Sequence, residues 1–205
     1  MRLVSILIAT IVFGLGVSPA RAQERSLQWG VQGALGLSTG DLKDTADQGL
    51  SLNLGGHMDY AVMPGHTLST RLDGLFFQAA RKRSSGSTGG NPWTHDLQTK
   101  VQGWTLGAEY ILQLFKADSR VSVGGGVHLV RWTVDSTDTL DITTPGGGGR
   151  VVDSSNPSWT KVGISLVAGY QISPKVRAEV RVLSSSYGWE GERVQVGQFG
   201  LSWTF

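Results

Sequence analysis

The 205-residue chain contains no cysteine, which excludes disulfides, thiolate nucleophiles and thiolate metal sites. It also lacks an excess of either charge. Lys and Arg number 18 against 16 Asp and Glu, and two of the arginines, Arg2 and Arg21, fall in the first 22 residues, leaving 16 against 16 in the remainder. No basic stripe is left to follow a phosphate backbone, so nucleic acid is not an expected partner. Beyond residue 22 no apolar run approaches the ~20 residues of a spanning helix, and no segment repeats with a helical period. The run Gly146–Gly149 lacks the Lys-Ser/Thr that follows a phosphate-binding loop. No His, Asp or Glu group has zinc or calcium ligand spacing, so no metal or cofactor is expected.

What is present begins with a leader. Arg2 precedes an uncharged run from Leu3 to Val17, followed by Pro19-Ala20-Arg21-Ala22. A positive start, an apolar stretch of roughly 15 residues and small residues at alternate positions are the pattern signal peptidase cuts. Residues 1–22 are therefore expected to be a signal peptide cleaved after Ala22. Residues 23–205 form one domain, with no internal repeat and no linker.

Through that domain apolar residues recur at every second position, which predicts strands. Eight such stretches can be drawn. Leu50, Leu52, Leu54, Met58 and Tyr60 oppose Ser51, Asn53, His57 and Asp59, and Val176, Ala178, Val180 and Val182 oppose Arg177, Glu179 and Arg181. The third stretch is less clean, because Leu75 and Phe77 fall on its polar face. Connections after the second, fourth and sixth stretches are short, with Pro64-Gly65 and Pro174-Lys175 among them. Those after the first, third and fifth are long and polar. Long loops at one end and short turns at the other fit an eight-stranded, antiparallel, up-and-down transmembrane β-barrel with periplasmic turns and extracellular loops.

Alternation alone does not say which face meets lipid. Trp29, Tyr60, Tyr110, Tyr170 and Trp203 share the apolar face near the short-turn end, where rings with an apolar body and a polar tip form a periplasmic girdle. The last stretch sets Phe199, Leu201, Trp203 and the terminal Phe205 on one face. In this it resembles the bacterial outer-membrane barrels, and among them the small OmpA- and OmpX-type proteins. The resemblance implies outer-membrane localisation, contact with lipid and lipopolysaccharide, a monomer, and a final strand read by the barrel-assembly machinery.

The polar face then becomes a lumen. His57, Asp59, Arg71, Asp73, Glu109, Lys161, Arg177, Glu179 and Arg181 fall on it with the signs balanced. Charges in a low-dielectric interior are costly unless paired, so a self-neutralising network filling the lumen is expected. A hairpin centred near Gly65 would set Asp59 opposite Arg71 and His57 opposite Asp73. A narrow pore is the alternative. A second is a lipid A-modifying enzyme, which needs His95 or His128 near a Ser and an acid at the outer rim. The His-x-Ser pair of outer-membrane deacylases is absent at both His57-Met58-Asp59 and His128-Leu129-Val130. A third is a soluble, lipocalin-like barrel with its apolar face inward. Arg81, Lys82 and Arg83, leaving the third stretch, are candidates for lipopolysaccharide phosphates. Trp93, Trp132, Trp159 and Trp189 flank the long loops as an outer girdle or a binding surface. The reading is a non-catalytic outer-membrane barrel with a structural or surface-binding role.

Overall fold

The computed structural model describes residues 27–40, 42, 49–115, 119–188 and 191–205. The signal-peptide reading of residues 1–22, most of the first long loop and Trp189 lie outside them. Ten strands follow in order: β1 (Leu27–Gly40), β2 (Leu50–Met63), β3 (His66–Phe77), β4 (Ala80–Thr88), β5 (Asn91–Gln113), β6 (Val121–Thr144), β7 (Gly147–Ser155), β8 (Ser158–Ser173), β9 (Val176–Tyr187) and β10 (Glu192–Thr204). Eight of them close a ring, β1-β2-β3-β5-β6-β8-β9-β10, in which every pair is antiparallel and β10 returns to β1. Closure leaves no sheet edge within the ring, so each backbone group there has a neighbour strand, which is the requirement hydrocarbon imposes.

The remaining two strands change the expected picture of the loops. The segments after the third and fifth stretches, expected as long polar loops, are paired strands. β5 and β6 are 23 and 24 residues long and overshoot the ring. β4 pairs with the overhang of β5, and β7 with the overhang of β6. A four-stranded sheet, β4-β5-β6-β7, therefore stands above the long-loop end. Both its faces lie outside the bilayer, so its strands needed no apolar alternation.

Alternation sets the faces of the ring as a membrane demands. Leu35, Leu52, Leu106, Ile164, Leu166 and Phe199 point outward and are exposed, Leu166 by 70%. Ser51, Asn53, Arg71, Glu109 and Ser165 point inward and are buried. Apolar residues on the outside and polar residues within exclude the soluble ligand-carrying barrel, whose faces are reversed. β2, at 14 residues, exceeds the ~9–11 tilted residues that cross a bilayer.

The register of the first hairpin differs from the expected one. Met63 pairs with His66 and Ala61 with Thr67, so Val62 is an extra residue on β2. Gly65 takes a φ of 77°, open to glycine without a Cβ penalty, and lets the chain reverse over Pro64-Gly65 alone. This tighter turn and its bulge slide the strands by two residues from the expected pairing. His57 faces Arg71, Asp59 faces Ser69, and Gly55 faces Asp73.

Candidate functional site

The interior has two layers. The lower layer, toward the short turns, is ionic. Arg71 reaches across the lumen from β3 to β9, with Nη1 2.9 Å from Glu179 Oε2 and 3.5 Å from Glu109 Oε2. Arg181 Nη2 lies 3.0 Å from Glu109 Oε2 and 3.5 Å from Glu179 Oε2, and its Nη1 is 3.7 Å from Asp73. Arg177 Nε donates to Glu179 Oε1 at 2.7 Å, and Gln32 donates to Asp73. Three guanidinium groups thus share three carboxylates. His57 Nε2 stands 3.7 Å from Asp59 at the margin. Lys161 does not join. It lies on the inward side of β8 but opposite Val130, above the ionic layer, and makes no ion pair among the described residues. The cavity within the layer, against Gln32, Asn53, Arg71, Asp73, Arg181 and Gln198, measures about 20 Å³, room for about one water.

The upper layer is apolar. Leu75, Phe77, Val101, Val130, Trp132, Leu183, Val194 and Val196 point inward from five strands and meet Leu42 from the connection after β1. The residues that spoiled the pattern of the third stretch, Leu75 and Phe77, are its members. Trp132 is fully buried, with its ring 6.1 Å from that of Phe77, and Trp159 packs against the cluster. Neither belongs to an outer girdle. Trp104 is the outward-facing tryptophan at that level, 49% exposed.

Of the two histidines weighed for catalysis, His128 does stand beside a Ser and an acid, a grouping that the sequence alone did not name. Ser165 Oγ donates to Glu109 Oε1 at 2.7 Å, and His128 Nε2 lies 2.9 Å from Ser165 Oγ and 3.2 Å from Glu109 Oε1. Glu109 and Ser165 both pair with Gly126 on the strand between them. His128 fits because a Cβ at Gly107 would come within 2.2 Å of its Nδ1. Ser, His and acid are therefore adjacent, but not as a nucleophilic triad. That arrangement needs one imidazole nitrogen on the hydroxyl and the other on the acid. Here a single nitrogen serves both, and Nδ1 has no hydrogen-bond partner. The group also lies inside the barrel, away from the outer rim.

Trp29, Tyr60, Tyr110, Tyr170 and Trp203 all lie on the outward side in the turn-proximal part of their strands; Tyr110 Oη is 2.9 Å from His66 Nδ1. Phe199, Leu201 and Trp203 face outward along β10, and the Phe205 amide donates to the Trp29 carbonyl at 2.8 Å. Arg81, Lys82 and Arg83 lie on β4. Strand alternation puts Lys82 on one face and the two arginines on the other, so they do not form one patch. Arg81 Nε donates to Asp96 at 2.9 and 3.1 Å. His95 Nε2 is 2.6 Å from Asp138 Oδ1.

No protein-family model matches the sequence, and no curated protein is similar to it in sequence. Solved structures are similar in fold. Ail, the attachment invasion locus protein of Yersinia pestis, superposes with a TM-score of 0.51 at 11% identity, covering 89% of this chain and all 100% of Ail. Neisserial surface protein A gives 0.47 at 13% identity over 87% of this chain and 97% of its own. The N-terminal β-barrel domain of Pseudomonas aeruginosa OprF gives 0.44 at 12% over 88% and 100%. The fold, with its apolar exterior, is that of the small eight-stranded outer-membrane barrels.

Proposed function

We propose that the protein is a non-conducting, non-catalytic barrel of the outer membrane that holds a rigid sheet above the outer leaflet as a surface-binding element. The observation that carries this is the doubly filled lumen. An ionic layer with a void of about 20 Å³ lies beneath a buried apolar layer, and ions would have to cross both. An eight-stranded barrel is just wide enough for side chains to fill. Planar-bilayer recordings of the refolded protein are expected to show no open-channel steps, and a large, steady conductance would overturn the reading.

The absence of catalysis rests on the shared nitrogen of His128 and on its distance from the rim. Residues 1–22 act as a cleaved export signal in this reading, and the chain works as a monomer in lipid and lipopolysaccharide. The five aromatics near the turns anchor it at the periplasmic interface, where ring amphipathicity is favoured. On the face of β4 that carries Arg81 and Arg83, Arg81 is held by Asp96 and Lys82 points the other way, so lipopolysaccharide phosphate is a weaker role for this run than its sequence suggests. Phe199, Leu201, Trp203 and Phe205 serve as the segment read during assembly. Deleting Phe205 should lower folded yield in cells more than it lowers stability after refolding in vitro; normal levels in the outer membrane would count against it.

A further inference from the structure

The sheet above the barrel has two unlike faces. Cross-strand pairing arranges the face continuous with the lumen in rows. One row is Lys82, Leu97, Asp138 and Asp153; the next is Ser84, His95, Leu140 and Val151; the next is Gly86, Trp93, Ile142 and Gly149. The opposite face carries Arg81, Arg83, Asp96, Asp141 and Arg150 among Ser, Thr and the exposed Val152. The first face is the more apolar, with Trp93, Leu97, Leu140, Ile142 and Val151, and it lines a pocket. It opens on a cavity of about 600 Å³ lined by Thr88, Asn91, Trp93, His95, Leu140 and Ile142, a size ordinary for small-molecule sites.

Trp93 is seated to act as a platform. Its partner across the pair is Gly86, and a Cβ there would come within 2.6 Å of Trp93 Cζ2 and 2.8 Å of Cε2. The indole therefore lies down over the glycine instead of standing off the sheet. Gly149 at the other end of the row leaves the flank open. Thr88 and Asn91 supply a hydroxyl and an amide beside the ring. His95, held 2.6 Å from Asp138 Oδ1, supplies an imidazole on the other side. The row of Trp93 carries no charge, and the nearest ionisable side chain, His95, is already engaged by an acid.

We propose that this face binds a neutral saccharide through one pyranose ring stacked on Trp93. A pyranose presents a face of C–H groups, which suits the electron-rich face of an indole. Its hydroxyls project round the rim, where Thr88, Asn91 and His95 stand. A sulfated or phosphorylated ligand would need cations; the Trp93 row has none, and Lys82 lies two rows below on this face. The assignment rests on the reading of the sheet as a surface-binding element and gives that element a ligand class.

The test uses the whole protein folded in lipid nanodiscs, since sugar-headed detergents would compete. Saturation-transfer NMR would be recorded with methyl α-glucopyranoside, methyl β-galactopyranoside and methyl α-mannopyranoside, with sucrose octasulfate as the anionic probe. Saturable transfer to the ring C–H protons of at least one neutral pyranoside is expected. Affinity should fall at least tenfold in Trp93→Ala and in Gly86→Val, which lifts the ring off its seat. It should survive in Trp93→Phe and in Trp104→Ala, a lipid-facing control. A heat-modifiability gel checks that each variant is folded. Absence of transfer with all three pyranosides, equal transfer in Trp93→Ala, or Trp93-dependent binding of the octasulfate alone would each overturn the proposal. Any of these could occur in a barrel that stays electrically silent, so the saccharide assignment fails separately from the proposed function.

Discussion

The two layers of the lumen lie within the same ring of strands and are built by opposite means. In the lower, Arg71, Arg181, Asp73, Glu109 and Glu179 hold one another across the barrel, each with a partner on another strand, and Arg177 joins them through Glu179 on its own strand. In the upper, Leu75, Trp132, Leu183 and Val196 pack in one apolar cluster, and none depends on an ionic partner. The lower layer is directional: its distances fix which strands stand opposite which. The upper layer is not directional, and it shuts water out where the barrel meets the outer surface. A lumen made only of charges would admit water between them, and one made only of apolar side chains would fix no arrangement.

The sharpest way to break the comparison is Glu109→Ala. It removes the one acceptor common to Arg71, Arg181 and His128, leaving Arg181 only its longer contacts with Glu179 and Asp73, and removing one member of a buried ionic group costs about 3–5 kcal/mol. Adding Arg181→Ala should cost less than the sum of the two single changes, because the guanidinium that has lost its shortest ion pair is removed with its partner. Urea unfolding in lipid vesicles measures both; strict additivity would show that the layer is not coupled. Next comes Leu75→Ala in the upper layer, expected to cost about 2–5 kcal/mol through lost burial and a cavity. Its cost should be unaffected by combination with Arg181→Ala, and a coupling between the two would mean that the layers are one unit. The smallest effect lies outside both. Arg81→Ala should leave barrel unfolding unchanged and speed amide exchange only along β4 and the overhang of β5. Hydrogen bonds from Arg81 hold the Asp96 carboxyl below its usual range. The order they confer is therefore present above the ordinary carboxylate pKa and lost as pH falls through the lowered one. Protection factors along β4, corrected for the intrinsic pH dependence of amide exchange, that stay the same between neutral and strongly acidic pH would refute this.

Much of the ring was legible because lipid outside and side chains inside enforce a period of two. β2 and β9 read cleanly for that reason, and the tyrosines near the turns did too. The projecting sheet was not legible. With water on both faces, Ala80–Thr88 and Gly147–Ser155 carry no alternation, and their order comes from backbone pairing with β5 and β6 that composition does not encode. The apolar layer had a signal that was seen but not used: Leu75 and Phe77 on the polar face of β3, matched by Val194 and Val196 at the same end of β10. The convergence of Glu109, His128 and Ser165 needed the register of three strands, and the first hairpin shows how one bulged residue, Val62, shifts a register the hydrophobic pattern alone does not fix.

The uninterrupted run of β5 and β6 from bilayer to sheet tip has a consequence for how the protein can vary. Because side chains alternate along a strand, one residue inserted between Lys100 and Val101 would either bulge or turn the whole overhang of β5 over, exchanging Trp93 for Thr94 and His95 for Asp96 on the concave face. Insertions at the base of the sheet are therefore tolerable only in pairs. At the tip, Gly89 and Gly90 join β4 to β5 with open space around them, and any number of residues can be added there without changing what lies below. Length is free at the summit and governed by parity at the foot.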